Sequence, residues 1–198
     1  VIKPARGSGG GGIMVLKRDN ARNWVTPSGQ LQSHRHIARH LADIIFGSFS
    51  FGGSEDAAII EELIHQHYVF DTIYSRGVSD IRIIMLNNQC VLAMLRLPAD
   101  TSDGKANLHQ GGIGVPIDLA TGRTGQGLCR GKRLDHHPDT GQPLSNILLP
   151  YWQDILKIST QAAKCVPLNY IGVDLVLDEH LGPLVLELNA RPGLQIQV

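Results

Sequence analysis

The sequence predicts an α+β fold in which strand pairs and helices interleave without the regular βαβ alternation of a parallel sheet. Three features point there. A glycine-rich run sits between two apolar stretches at the N-terminus. Two further pairs of apolar, β-type runs, within 81–95 and 170–188, are each split by a short polar turn. Three segments, beginning near residues 33, 55 and 147, carry the spacing of an amphipathic helix.

In chain order, Val1-Ile2-Lys3 reads as a strand and Ile13-Met14-Val15-Leu16 as its hairpin partner, joined by Gly7-Ser8-Gly9-Gly10-Gly11-Gly12. Residues 19 to 32 are polar and turn-rich. From Ser33, a good N-cap, Ile37, Leu41, Ile44 and Ile45 fall on one helical face. A second helix is expected over 55 to 66 from Ile59, Ile60 and Leu63. Strands follow at Ile81–Leu86 and Cys90–Leu95 around the turn Asn87-Asn88-Gln89. The stretch 97–146 is expected to be mostly loop, with short strands near Ile113 to Ile117. A helix then fits 147 to 165, and a closing strand pair fits Tyr170–Leu177 and Leu184–Leu188.

Composition narrows the function classes. The 198 residues can bury a sizeable core. Lys and Arg (18) balance Asp and Glu (18), which gives no electrostatic case for nucleic acid or an anionic membrane as partner. No apolar run approaches the roughly 20 residues that span a bilayer. Cys90, Cys129 and Cys165 are odd in number and far apart, which fits neither a disulfide framework nor a zinc knuckle, so a cytoplasmic setting is expected. No signal peptide is visible. The chain does not begin with Met and is expected to be a fragment.

Two places carry chemistry. Consecutive glycines let backbone N–H groups converge on an anion, Ser8 adds a hydroxyl, and Lys3 just upstream supplies a point charge for phosphate. The alternative is an ordinary flexible loop. In the closing hairpin, Asp174 lies on one strand and Glu187 and Asn189 on the other, two apart and therefore on one face, with Leu188 turned to the core. Two carboxylates and an amide oxygen suit Mg2+, which completes its shell with waters and phosphate. A solvated polar strand face is the alternative. Arg82, Arg96 and Arg191 are the cations whose planar forks match phosphate or carboxylate; for Arg82 a structural ion pair is an equal reading.

Taken in order, Val1-Ile2-Lys3-Pro4 with the glycine loop, Asp80-Ile81-Arg82, Lys105-Ala106-Asn107-Leu108-His109-Gln110-Gly111-Gly112, Gly172-Val173-Asp174 and Glu187-Leu188-Asn189-Ala190-Arg191-Pro192-Gly193 resemble the motifs of ATP-grasp enzymes. Within that superfamily the chain looks most like RimK-like and α-L-glutamate ligase-like proteins. The resemblance implies an ATP-grasp fold of two α+β subdomains clasping ATP. A small lid subdomain would span about 1–70 and a large one 71–198, with an N-terminal substrate domain missing. It implies that Lys3 meets the α and β phosphates and that Gly7, Ser8, Gly9, Gly10, Gly11 and Gly12 close over the triphosphate. Asp71, Thr72 and Ile73 would form the hinge that reads the adenine edge; many relatives have Glu where Asp71 stands. Asp80, Lys105 and Asn107 would contact nucleotide, Lys105 replacing an Arg. Asp174, Glu187 and Asn189 would bind Mg2+ or Mn2+, and Arg82, Arg96 and Arg191 would serve the acyl phosphate or the substrate carboxylate.

The implied activity is ATP-dependent joining of a carboxylate, glutamate for example, to an amine on an amino acid, a peptide or a protein tail. Acyl-phosphate chemistry needs no side-chain nucleophile, in keeping with the lack of a Ser-His-Asp or Cys-His signature. A non-catalytic ATP-binding module and an ATP-grasp phosphotransferase are the other readings. His36 with His40, and His136-His137, read as surface residues, and His109 as a loop-ordering residue. The basic stretch Arg123 to Arg133 has no acid before Asp135 and reads as a solvated loop or as a contact for an acidic substrate.

Overall fold

The computed structural model describes residues 1–7, 10–27, 29–102 and 104–193, with Phe51 described by its backbone alone. The chain divides into two compact units, Val1–Leu63 and Ile64–Val198, a boundary a few residues before the expected one near residue 70.

In the first unit, β1 (Ile2–Pro4) does not form the expected hairpin ladder with the stretch after the glycines; Ile2 and Met14 share a single bridge. Two short strands, β2 (Lys17–Arg18) and β3 (Trp24–Val25), pair with each other. Helix α1 (His34–Ile45) begins where its cap predicts, with Ser33 Oγ accepting from the His36 amide at 3.1 Å. Its Ile44 is fully buried. The helix expected over 55–66 is absent: Ala58–Ile60 is a strand, β4, antiparallel to β1. The adjacent β-branched pair Ile59-Ile60 favours extended backbone, and Asp56 fixes the chain just before it. The Asp56 carboxylate accepts from Ser50 Oγ at 2.7 Å and from the Arg6 amide at 2.9 Å.

The second unit opens with the four-residue helical turn α2 (Tyr68–Asp71) and is dominated by one antiparallel sheet. Its strands are β5 (Asp80–Leu86), β6 (Gln89–Leu97), β7 (Ile113–Ile117), β8 (Gly127–Cys129), β9 (Lys132–Leu134), β10 (Tyr170–Asp178) and β11 (Gly182–Asn189). They lie in the order β11-β10-β5-β6-β7-β8-β9. Asn87 and Asn88 both take positive φ in the β5–β6 turn, as a tight hairpin requires. The β8–β9 hairpin inside the expected loop turns through Arg130 and Gly131, also both at positive φ. Helix α3 (Trp152–Ala163) starts later than expected because Pro150 precedes it and Tyr151 is left-handed. It covers the sheet face formed by Ile81, Ile83, Leu95, Val115, Val173 and Leu175, which is the core.

Alternation puts the even-numbered residues of β5, of β6 from Leu92 onward and of β7 on the opposite face, while a register shift before Leu92 leaves Cys90 on the core side. On β11 the alternation is broken by a bulge: Asp174 faces Glu187 and Leu175 faces Val185, so Leu186 has no opposite number.

Candidate functional site

The face away from α3 carries two rows of directly opposed residues. One runs Glu187–Asp174–Arg82–Met94–Pro116 across β11, β10, β5, β6 and β7. The other runs Asp80–Arg96–Gly114 across β5, β6 and β7. Opposed side chains on one face stand within contact range, so four charges from three strands meet at one place.

Asp174 is the centre. Its side chain is 2% exposed and takes a bidentate fork from Arg82, Nε to Oδ1 at 2.7 Å and Nη2 to Oδ2 at 2.6 Å. Arg96 Nη2 donates to the same Oδ2 at 2.8 Å, and Arg96 Nε donates to Asp80. Burial alone would raise the Asp174 carboxyl, but Arg82 and Arg96 outweigh it and hold the group below the usual range. Asp80 goes the other way: burial, helped by the Asp174 charge, pushes it up to about 6 against the pull of Arg96 and Arg82. Arg96, 7% exposed, is raised because two carboxylate charges outweigh its own desolvation.

Asn189 Nδ2 donates to Asp174 Oδ2 at 3.1 Å and to Glu187 Oε1 at 3.0 Å. The residue opposite Asn189 is Gly172, and a Cβ there would lie 2.8 Å from Pro192 Cβ. Tyr170 Oη donates to the Pro192 carbonyl at 3.0 Å, which fixes the end of β11. Asp174, Glu187 and Asn189 are therefore gathered around one amide group. A half-turn of that amide would present its Oδ1 to the same point, and Asp174 Oδ1, which accepts from Arg82 Nε, keeps a lone pair. Among the described residues no group of three His, Cys, Asp or Glu is placed to hold a metal. The donor set is two carboxylates and an amide, which fits a hard cation that draws its remaining ligands from water and phosphate.

The other sequence-derived positions fall elsewhere. Arg191 is exposed beyond β11. Lys105 is exposed, and Asn107 caps a short turn by accepting from the His109 amide at 3.0 Å. Asp71, Thr72 and Ile73 belong to the helical turn at α2, where their amides bond to His67, Tyr68 and Phe70 carbonyls. Those N–H groups are therefore engaged within the helical turn. Ile73 is also buried.

In the first unit, Lys3 Nζ on β1 pairs at 2.7 Å with Oε2 of Glu61, the residue that follows β4. In the glycine loop, Ser8 and Gly9 lie outside the described residues. Gly10 and Gly12 adopt positive φ, and a Cβ on Gly12 would come within 2.6 Å of Phe49 Cγ. Gly11 follows in the same turn and is exposed, and a Cβ on Gly7 would lie 2.4 Å from Pro4 Cγ.

Two histidines differ from their sequence reading. His40 is half-buried, with Nε2 2.8 Å from the Gly12 carbonyl. His137 is buried against Tyr74, with Nε2 2.8 Å from the Pro98 carbonyl. Both are structural, and nothing in their spacing signalled it. The short β8–β9 hairpin with its arginines was also missed.

The α+β sheet with its oxygen-donor face has the fold class of the ATP-grasp proteins. Residues 1–198 match the family model described as sugar-transfer associated ATP-grasp, and the chain belongs to that family. It is similar to a "Probable alpha-L-glutamate ligase" of Legionella pneumophila (strain Corby), 31% identical over 121 residues, 61% of this chain and 28% of the relative. It is also similar to "Probable alpha-L-glutamate ligase 2" of Hahella chejuensis, 28% identical over 127 residues, 64% of this chain and 31% of the relative. A third similar protein, "Probable alpha-L-glutamate ligase" of Mannheimia succiniciproducens, is 30% identical over 142 residues, 70% of this chain and 36% of the relative. The matched region thus spans about a third of the length of these curated relatives. No helix among the described residues is long and apolar enough to cross a membrane.

Proposed function

We propose that the chain contributes to an ATP-dependent carboxylate–amine ligase working through an acyl phosphate. The observation that carries this reading is the convergence of Asp174, Glu187 and Asn189 beside the buried Arg96 and the partly buried Arg82 on one sheet face. A carboxylate is a poor electrophile because its leaving group would be oxide. Accepting the γ-phosphoryl group of ATP turns that oxygen into part of a phosphate leaving group. An amine then attacks the acyl carbon, the C–O bond to phosphate breaks, and an amide, ADP and phosphate result.

Phosphoryl transfer of this kind needs positioning and charge stabilisation more than side-chain nucleophiles. Arg82 and Arg96 are suited to it because Asp174 holds both guanidinium groups in fixed orientations. Asp174, Glu187 and Asn189 would hold Mg2+ or Mn2+, which when bound would neutralise charge on the phosphates. The names of the relatives support glutamate as the acid or amine component. The family description makes an amine carried on a sugar a further acceptor to test beside amino acids, peptides and protein tails.

A hydroxylamine trap decides the reading. Full-length protein, ATP and Mg2+ are incubated with a panel of carboxylic acids and hydroxylamine, and hydroxamate and ADP are measured. Hydroxamate that depends on both ATP and one acid is the expected result. Phosphoryl transfer to a hydroxyl compound would make the protein a kinase, and ATP binding without ADP release would make it a binding module; either outcome refutes the ligase reading.

A further inference from the structure

The second row of opposed residues does not stop at Gly114. It continues through Leu128 on β8 to Arg133 on β9. A cavity of about 510 Å³ lies along this stretch, lined by Met94, Leu108, Gly114 and Pro116 and by the cations Arg130 and Arg133. Its size is in the range of small-ligand sites, roughly 300–1,000 Å³. Gly114 keeps it open: a Cβ there would stand 3.3 Å from Met94 Sδ and 3.4 Å from Leu108 Cδ2.

The two arginines have no evident structural employment. Of the basic stretch, Arg123 is used to hold Asn146, donating to its carbonyl and Oδ1 at 3.1 Å each. Lys132 faces Cys129, which packs against the core cluster, and so lies on the other side of the hairpin. Asp135, the first acid after the stretch, is engaged by Gln126 Nε2 at 2.7 Å. Among the described residues, neither Arg130 nor Arg133 has a hydrogen-bond or ion-pair partner. The left-handed backbone at Arg130 turns the hairpin, and its Nη2 lies 3.0 Å from where a Gly111 Cβ would be, so the side chain folds back over the 107–112 loop.

Resting on the ligase reading above, we infer that this cavity binds a small organic acid bearing a second anionic group, a carboxylate or a phosphate. Arg130 and Arg133 hold the distal anion, and the spacer lies on Met94, Leu108 and Pro116. Arg96 and Arg133 are three strand spacings apart, roughly 14 Å at about 4.8 Å per strand. The Arg96 guanidinium is turned away to Asp80 and Asp174, so Arg130 and Arg133 are the cations that line the cavity, whose volume fits a short acid. The basic hairpin is then the specificity element of the acid subsite.

The test is calorimetric titration of L-glutamate, O-phospho-L-serine and neutral L-glutamine into the full-length protein and into the double variant Arg130→Gln/Arg133→Gln. Both arginines are exposed, so the variant should fold, and its thermal midpoint checks this. At least one anion should bind wild type more tightly than L-glutamine does. The variant should bind that anion about tenfold more weakly and L-glutamine unchanged. Which anion responds tells a second carboxylate from a phosphate. Anion binding no tighter than that of L-glutamine, or equal affinities in wild type and variant, overturns the assignment. Mg·ATP binding, measured on the same two proteins, should be equal. Its absence from wild type would remove the ligase reading while leaving an anion effect of the arginines to stand as a binding site in its own right.

Discussion

Replacing Asp174 by Asn should cost the second unit about 3 kcal/mol of stability. The carboxylate accepts three arginine N–H groups, and an amide of the same shape offers one oxygen and turns an N–H toward a guanidinium. Arg96 keeps Asp80, but the fork from Arg82 loses its carboxylate. Removing one partner of a buried pair costs about 3–5 kcal/mol because the other charge stays buried. The low end applies here, since Arg82 remains 16% exposed and Arg96 retains an acid. Urea unfolding followed by Trp152, in a Trp24→Phe background, reports on this unit alone, because the two tryptophans belong to different units. A 3 kcal/mol loss should lower the midpoint by about 1.5 M. Adding Arg82→Met should recover about 1 kcal/mol or more by removing the orphaned charge. A loss under about 0.5 kcal/mol, or no recovery in the double variant, would mean that these charges are hydrated and that the cluster is not a buried one.

Two further predictions use the charges differently. Asp80 is raised from 3.8 to about 6, so the folded protein retains a proton that the unfolded chain releases across that interval. Its contribution is full at low pH and is lost as pH rises through about 6. Asp174, held below the ordinary range, titrates beneath this window and does not mask it. The stability difference between wild type and Asp80→Asn should therefore shift against wild type between pH 4.5 and 6.5, and a constant difference in urea midpoints would refute this. For Lys3→Met, the pair with Glu61 is partly exposed and should be worth less than about 1 kcal/mol of stability. If Lys3 is a phosphate contact, the same variant should lose affinity for ATP and ADP but not for adenosine; equal losses for all three in calorimetry would make the lysine purely structural.

What the sequence made legible was local. Helix α1 could be read because a cap and a four-residue periodicity agree at Ser33, and the β5–β6 hairpin because two asparagines tolerate positive φ. The helix expected at 55–66 failed because β4 is decided by its partner β1, more than fifty residues away, and short isoleucine-rich runs fit either state. The β8–β9 hairpin was hidden because its turn begins with an arginine at positive φ, a position that sequence reasoning reserves for Asn, Asp or Gly. At the site, the two-residue spacing of Glu187 and Asn189 was readable, and so was their common face. The pairing of Asp174 with Arg82 and Arg96 was not, because it depends on β10 lying beside β5, its neighbour in space but not in sequence.

The bulge at Leu186 has a consequence for changes of chain length. Leu186 alone lacks an opposite number, with Val185 on Leu175 and Glu187 on Asp174. A one-residue deletion there would leave every other pair of β10 and β11 in its present register. The same deletion at Leu188 would carry Asn189 to the core face or drag Glu187 off Asp174, because period-two alternation has no slack beyond the bulge. The hairpin is thus tolerant of deletion on the turn side of Glu187 and intolerant on the other, so length variation in this hairpin should be confined to residues 179–186.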